Sequence, residues 1–175
     1  MNERSERSFD LEVLDRRHNR PDFNCGVESL DRYFRRFARQ DMQRDLAVVY
    51  VLNDEDANRV AGYFTLCTGA ILPDDLPVSI ADRLPSYGAF PAILLGRLAV
   101  DRDYQNPNLG RYLLVAAIRL SYRASRSIAA MAVTVDAIDE GAAAFYRRFG
   151  FISYPSHPLT LFLPMSMAPD LISGR

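Results

Sequence analysis

Leu98-Ala99-Val100-Asp101-Arg102-Asp103-Tyr104-Gln105-Asn106-Pro107-Asn108-Leu109-Gly110-Arg111-Tyr112-Leu113-Leu114 is an apolar run, a polar turn and the start of a helical pattern, in that order. The first backbone N–H groups of a helix have no acceptor within it, and they sit at the positive end of the helix dipole. A turn that feeds a helix in this way can hold a phosphate. It can equally just reverse the chain, and these residues alone leave both readings open.

Upstream, Ala92 to Val100 is apolar apart from Gly96 and Arg97 and reads as a buried strand in a central position. Downstream, a helix is expected from about Asn108 to Ser125, with Leu109, Leu113, Ala116, Ala117 and Leu120 inward. Ala129 to Asp136 reads as a second buried strand. Asp139 to Phe149 reads as a helix closed by Gly150 at the left-handed cap, and Phe151–Tyr154 and Leu159–Leu163 read as short strands. Toward the N-terminus, Phe9 to Leu14 alternates as a half-buried strand. From Val27 to Arg44 the period turns helical, with Leu30, Tyr33, Phe34 and Phe37 on one stripe and Arg32, Arg35, Arg36 and Arg39 opposite. Leu46–Leu52 and Val60–Leu66, separated by Asn53–Asn58, form a hairpin signature, and the Pro-punctuated stretch from Pro73 to Pro91 leaves room for a short helix.

This order predicts an α/β (α+β) domain: a mixed central sheet of about six to seven strands with helices on both faces. With 175 residues and 49% hydrophobic content, one domain over residues 1–175 is expected, with 1–8 and 166–175 frayed. A net charge of -1 does not announce a nucleic-acid binder, although a local basic face can hide within it. All 21 basic residues are arginine, whose planar fork suits phosphates and carboxylates. Cys25 and Cys67 fit neither a zinc spacing nor a disulfide framework, so no metal is implied. The charged N-terminus is unlike a signal peptide and no apolar run reaches the roughly 20 residues of a membrane span, which points to a soluble cytoplasmic protein. His18 and His157 read as loop residues, and Cys67 as a buried structural thiol.

Gln105-Asn106-Pro107-Asn108-Leu109-Gly110 resembles the pyrophosphate loop Q/R-x-x-G-x-G/A of the GNAT acetyltransferases. Gln105 and Gly110 match; Asn108 stands for the first glycine, and Pro107 has no N–H to offer. Ala142-x-x-Phe145-Tyr146-x-x-x-Gly150-Phe151 is similar to the element that ends many GNAT domains. The resemblance implies acetyl-CoA as co-substrate, bound by Leu98, Ala99, Val100, Gln105, Asn106, Asn108, Leu109, Gly110, Arg111 and Phe145. It implies direct attack of an acceptor amine on the thioester, an oxyanion near the Leu98–Val100 backbone, and Tyr146 as general acid to the leaving thiolate. Phe145 and Phe149 are expected to share the core stripe of their helix, with Tyr146 about 100° away on its flank. A core-edge tyrosine is the competing reading.

Phe23 to Phe34, Ala61 to Leu66, Leu94 to Asp101 and Leu161 to Pro164 look like the GNAT toxins of bacterial toxin-antitoxin modules. That likeness implies acetylation of the α-amino group of aminoacyl-tRNA, a block of translation, a ribbon-helix-helix antitoxin and a homodimer. An α-amino group titrates at about 7.7–8.0, against about 10.4 for lysine, so no strong general base is needed. The Arg32, Arg35, Arg36 and Arg39 face either tracks tRNA phosphates or is merely solvated, and Arg97 either joins it or pairs with a structural carboxylate. The alternatives are a GNAT acting on a small amine or protein N-terminus, and a non-catalytic acyl-CoA-binding module.

Overall fold

The computed structural model describes residues 8–105 and 107–174. One sheet carries seven strands in the order β1-β2-β3-β4-β5-β7-β6: β1 Phe9–Val13, β2 Val48–Asp54, β3 Arg59–Ile71, β4 Phe90–Val100, β5 Ala132–Asp136, β6 Ile152–Ser153 and β7 Thr160–Pro164. It is mixed: β1 pairs antiparallel with β2 and β7 antiparallel with β5 and β6, while β4 and β5 run parallel. β4 is central, as its largely apolar run predicts. Yet only Phe90, Ala92, Leu95 and Ala99 are buried along it, and its pairing with β5 runs from Ala92↔Ala132 to Leu95↔Val135.

Two compact units divide the chain. The first, up to Thr65 and over Arg97–Leu114, holds a helix in three parts: α1 Glu28–Arg32, a π-helical turn Tyr33–Phe37 and α2 Ala38–Gln43. This helix packs on one face of the sheet, where Phe23, Tyr33, Phe34, Ala38, Val49, Val51, Tyr63 and Ala99 make a single core. Side chains alternate along a strand, so Gly62 faces the other way. A Cβ there would lie 2.6 Å from Leu113 Cδ1 of α4 (Pro107–Ser125), which covers the opposite face.

The π-helical turn corrects one expectation. An i→i+5 turn inserts an extra residue, so the inward stripe passes from Leu30, Tyr33 and Phe34 to Ala38, which is fully buried. Phe37, expected inside, is 39% exposed, with the Arg32 guanidinium 5.6 Å from its ring.

The second unit, Leu66–Gly96 and Val115–Arg175, contains α3 (Val78–Ala81), the remainder of α4, α5 (Glu140–Arg147) and α6 (Ala168–Ser173). Ile71, Leu76, Phe90, Ala92, Ala132, Tyr154 and Phe162 form its core. The C-terminal segment expected to fray is folded over its described residues: a 3-10 turn, Met165–Met167, leads into α6, where Ala168 is fully buried. Its few apolar residues gave too short a periodic signal to read. β5 begins three residues later than its apolar run, and Cys67 is half-buried rather than buried.

Candidate active site

The turn after β4 is fixed by one carboxylate. Asp101 is 1% exposed; its Oδ2 accepts from the Asn24 amide at 2.8 Å, and its Oδ1 from the Asp103 amide at 3.0 Å and from Arg59 at 3.3 Å. The Asp103 bond caps a 3-10 turn, Arg102–Tyr104, that delivers the chain to Gln105. The Arg102 amide donates to Asn24 O at 2.8 Å, and the Tyr104 hydroxyl donates to Asp54 Oδ2 at 2.7 Å. Asn24 is held in turn by its neighbours. Gly26, at φ +90°, lets the chain double back so that Asp31, 3% exposed, accepts from the Cys25 amide at 2.7 Å and the Gly26 amide at 3.3 Å. Two stretches 77 residues apart thus form one scaffold under the turn. No local pattern announces such a contact, so sequence reasoning missed Asp101, Asn24 and Asp31.

Pro107 is the first residue of α4, where a missing N–H costs nothing because that donor has no helical acceptor. Gln105 is exposed and its Nε2 donates to Cys25 O at 3.2 Å, which commits part of its side chain to the scaffold. Gln105, Asn108 and Leu109 line a cavity of about 700 Å³ together with Phe9, Leu52 and Tyr112. Arg111 is exposed, Leu98, Val100, Leu109 and Gly110 are half-buried, and Ala99 turns into the core shared with α1. The expected ligand Asn106 lies outside the described residues.

In the second unit, Asp139 caps α5 by accepting from the Ala142 amide at 2.8 Å, and Gly150, at φ +87°, follows its end as expected. The stripe is rotated from the sequence reading. Ala143 and Tyr146 are buried while Phe145 and Phe149 are half-buried, because the i, i+3 pair faces the core and the i, i+4 pair lies beside it. The Tyr146 ring is 5.4 Å from both Phe145 and Phe151. Its hydroxyl makes no hydrogen bond among the described residues, and burial alone pushes the phenol up to about 12.

The basic face is uneven. Arg32 and Arg36 are exposed, but Arg35 is half-buried and donates to Phe23 O at 2.8 Å through Nε. Burial, and after it the charge of nearby half-buried Arg39, pushes the Arg20 guanidinium below its usual range. Arg97 pairs with no carboxylate among the described residues; its guanidinium carbon lies 3.5 Å from the centroid of the Tyr33 ring. Burial and the Asp31 side chain push the Cys25 thiol up to about 11, which keeps it unreactive. His18 is in a loop but buried. Its Nδ1 accepts from the Asp15 amide at 2.9 Å and its Nε2 lies 3.0 Å from Glu12, and desolvation lowers its pKa.

Residues 45–153 match the family described as acetyltransferase (GNAT) domain. The chain is 37% identical over 150 residues to a tRNA-acetylating toxin of Mycobacterium tuberculosis, covering 86% of this chain and 88% of that one. Among solved structures, AtaT complexed with acetyl-methionyl-tRNAfMet superposes with a TM-score of 0.86 at 28% identity, over 94% of this chain and 99% of the other. AtaTR bound with AcCoA gives 0.81 at 27% identity, over 93% and 97%. A tyrosine-to-phenylalanine variant of AtaT bound to the C-terminus of the antitoxin AtaR gives 0.80 at 25% identity, over 94% and 98%.

Proposed function

Because this chain belongs to the GNAT acetyltransferase family, we propose that it is a toxin that transfers an acetyl group from acetyl-CoA to the α-amino group of aminoacyl-tRNA and thereby blocks translation. The observation that carries this reading is the turn at Gln105, pinned by Asp101 at the mouth of the 19-residue helix α4. A long helix adds its dipole to the amides of its first turn, and a pinned turn presents them without further ordering cost. These amides, with Gln105, Asn106, Asn108, Leu109, Gly110 and Arg111, would hold the diphosphate of acetyl-CoA; Leu98 to Val100 and Phe145 would flank the rest of it. Acetyl-CoA supplies an activated acetyl thioester.

Proton handling falls to Tyr146. A phenol raised to about 12 keeps its proton at every working pH, so it is always able to donate. It is also a weaker acid than a thiol, at about 8.5. Donation to the departing sulfur is therefore uphill by itself, and it is drawn forward because the tyrosinate recovers a proton from the attacking ammonium, which is far more acidic. An α-amino group is neutral often enough near pH 7 to attack without a base. Arg32, Arg36 and Arg39 would track tRNA phosphates, with Arg35 shaping the helix rather than the contact. The relatives' complexes with tRNA and antitoxin support an aminoacyl-tRNA substrate and an antitoxin partner for this chain. We further propose that the antitoxin is a ribbon-helix-helix protein and that the chain acts as a homodimer of single-domain subunits in the cytoplasm.

Labelled acetyl-CoA tests the reading when mixed with the protein and either charged or uncharged tRNA. Label should enter only charged tRNA, and translation in a cell-free extract should stop. Label in small amines or protein N-termini, with tRNA untouched, would leave a GNAT enzyme of another substrate. No acetyl-CoA binding by calorimetry would leave a non-catalytic module.

A further inference from the structure

Arg97 and Ala99 point to the same side of β4, and Ala99 belongs to the core beneath α1 and the π-helical turn. Arg97 therefore lies on the face that carries Arg32 and Arg36, opposite the face covered by α4. Its guanidinium is seated 3.5 Å from the centroid of the Tyr33 ring, well inside the roughly 6 Å reach of a cation–π contact. Tyr33 is itself immobilised. Only 5% exposed, it stacks on Tyr63 at 6.4 Å and 24°; Tyr63 stacks on Phe34 at 4.5 Å, and Phe23 meets both Phe34 and Tyr63 edge-on. The Tyr63 hydroxyl is tied to Leu30 O at 2.9 Å.

Four other arginines of this unit are committed: Arg35 to Phe23 O, Arg59 to Asp101 and Asp103, Arg17 to Glu12 and Asp15, Arg20 to Arg35 O. Arg97 makes no ion pair and no hydrogen bond among the described residues. A half-buried guanidinium with one face on a ring still has five coplanar N–H donors to satisfy, and that fork matches a phosphate.

We propose that Tyr33 is a positioning residue, a fixed aromatic plate that orients Arg97 to grip a backbone phosphate of the single-stranded 3′ end of the acceptor RNA. This rests on the reading of charged tRNA as acceptor. A phosphate of the cofactor is the other source of the same chemistry, and it is disfavoured because the turn assigned to it opens α4 on the opposite face.

The test compares Arg97→Gln, Tyr33→Leu and Tyr33→Phe with the wild type in acetyl transfer to charged tRNA over a series of salt concentrations, alongside calorimetry with acetyl-CoA. Arg97→Gln should raise KM for tRNA by roughly 10-fold or more, as loss of a charge-assisted bond implies, with kcat little changed. It should also flatten the dependence of log KM on log salt by about 0.7, the share of one single-strand phosphate contact. Tyr33→Leu should shift KM and slope the same way, Tyr33→Phe should recover both, and acetyl-CoA affinity should be constant throughout. Wild-type transfer with KM and slope unaltered in Arg97→Gln overturns this inference alone, as does weakened acetyl-CoA binding in that variant. A lowered melting temperature in Tyr33→Leu without a KM change reduces the stack to a structural one and overturns it too. No transfer to tRNA by the wild type removes the underlying reading and this inference with it.

Discussion

Replacing Asp101 by asparagine changes one atom in the scaffold under the turn at Gln105. The carboxylate takes three donors: the Asn24 amide on one oxygen, and the Asp103 amide and Arg59 on the other. An asparagine keeps one oxygen, so in either orientation its NH2 faces a backbone N–H, donor against donor. The cheaper orientation retains the Asp103 and Arg59 bonds and orphans the Asn24 amide. An unmade bond of this kind costs about 1–3 kcal/mol. The retained bonds also lose charge assistance, though Arg59 adds little because its side chain is 31% exposed. The sum is about 2–4 kcal/mol, a large share of the roughly 5–15 kcal/mol that holds a domain together. At about 2–4 °C per kcal/mol for a chain of this size, the melting temperature should fall by about 5–15 °C. Acetyl-CoA affinity, measured by calorimetry well below that temperature, should fall as well, because the turn is no longer pinned. Asp103→Asn, whose side chain is 67% exposed, should change stability by less than about 0.5 kcal/mol. Asp101→Asn melting within about 2 °C of the wild type, with affinity intact, would refute the scaffold.

Tyr146→Phe should keep acetyl-CoA binding and cut turnover by roughly 10²–10⁴-fold; unchanged turnover rejects the proton-donor role. Since Tyr146 holds its proton up to about 12, kcat/KM should rise through the titration of the acceptor amine and show no falling limb below about pH 11. A descending limb near pH 9 would point to another acid. Stability should decline on the alkaline side. The Cys25 thiol and the Tyr146 and Tyr154 phenols titrate higher when folded, at about 11, 12 and 12. The unfolded chain thus releases these protons first, and stability that is whole below pH 9 is lost as pH climbs toward 12; denaturant midpoints flat from pH 8.5 to 11 would contradict this. Gly62→Ala should destabilise by about 1–3 kcal/mol in chemical denaturation, because its methyl would sit 2.6 Å from Leu113 Cδ1 and 2.9 Å from Ala99 O. A neutral result would mean that α4 stands off the sheet.

Much of the fold is legible in the sequence because its signals are local. The apolar run before Asp101, the cap at Asp139 and the left-handed Gly150 each mark an element from a few adjacent residues. What escaped is either non-local or a break in period. Asn24 and Asp101 meet across 77 positions, and no spacing rule links them. The π-helical turn moves the inward place from Phe37 to Ala38, and a 3.6-residue template cannot anticipate the extra residue. On α5 the same template ranked phenylalanine above tyrosine for the core, whereas Tyr146 is the buried ring. For the site, residue types in the turn and on α5 are readable from motif likeness, but the commitment of Arg35 to Phe23 O and the seating of Arg97 on Tyr33 are tertiary contacts that no local pattern encodes.

The most direct test is mass spectrometry of the 3′-terminal nucleoside released by nuclease from charged tRNA after incubation with the protein and acetyl-CoA. The account predicts an aminoacyl-adenosine acetylated on its α-nitrogen, absent when acetyl-CoA is left out and strongly reduced with Tyr146→Phe. Unmodified aminoacyl-adenosine, recovered while the same protein demonstrably binds acetyl-CoA, would contradict it.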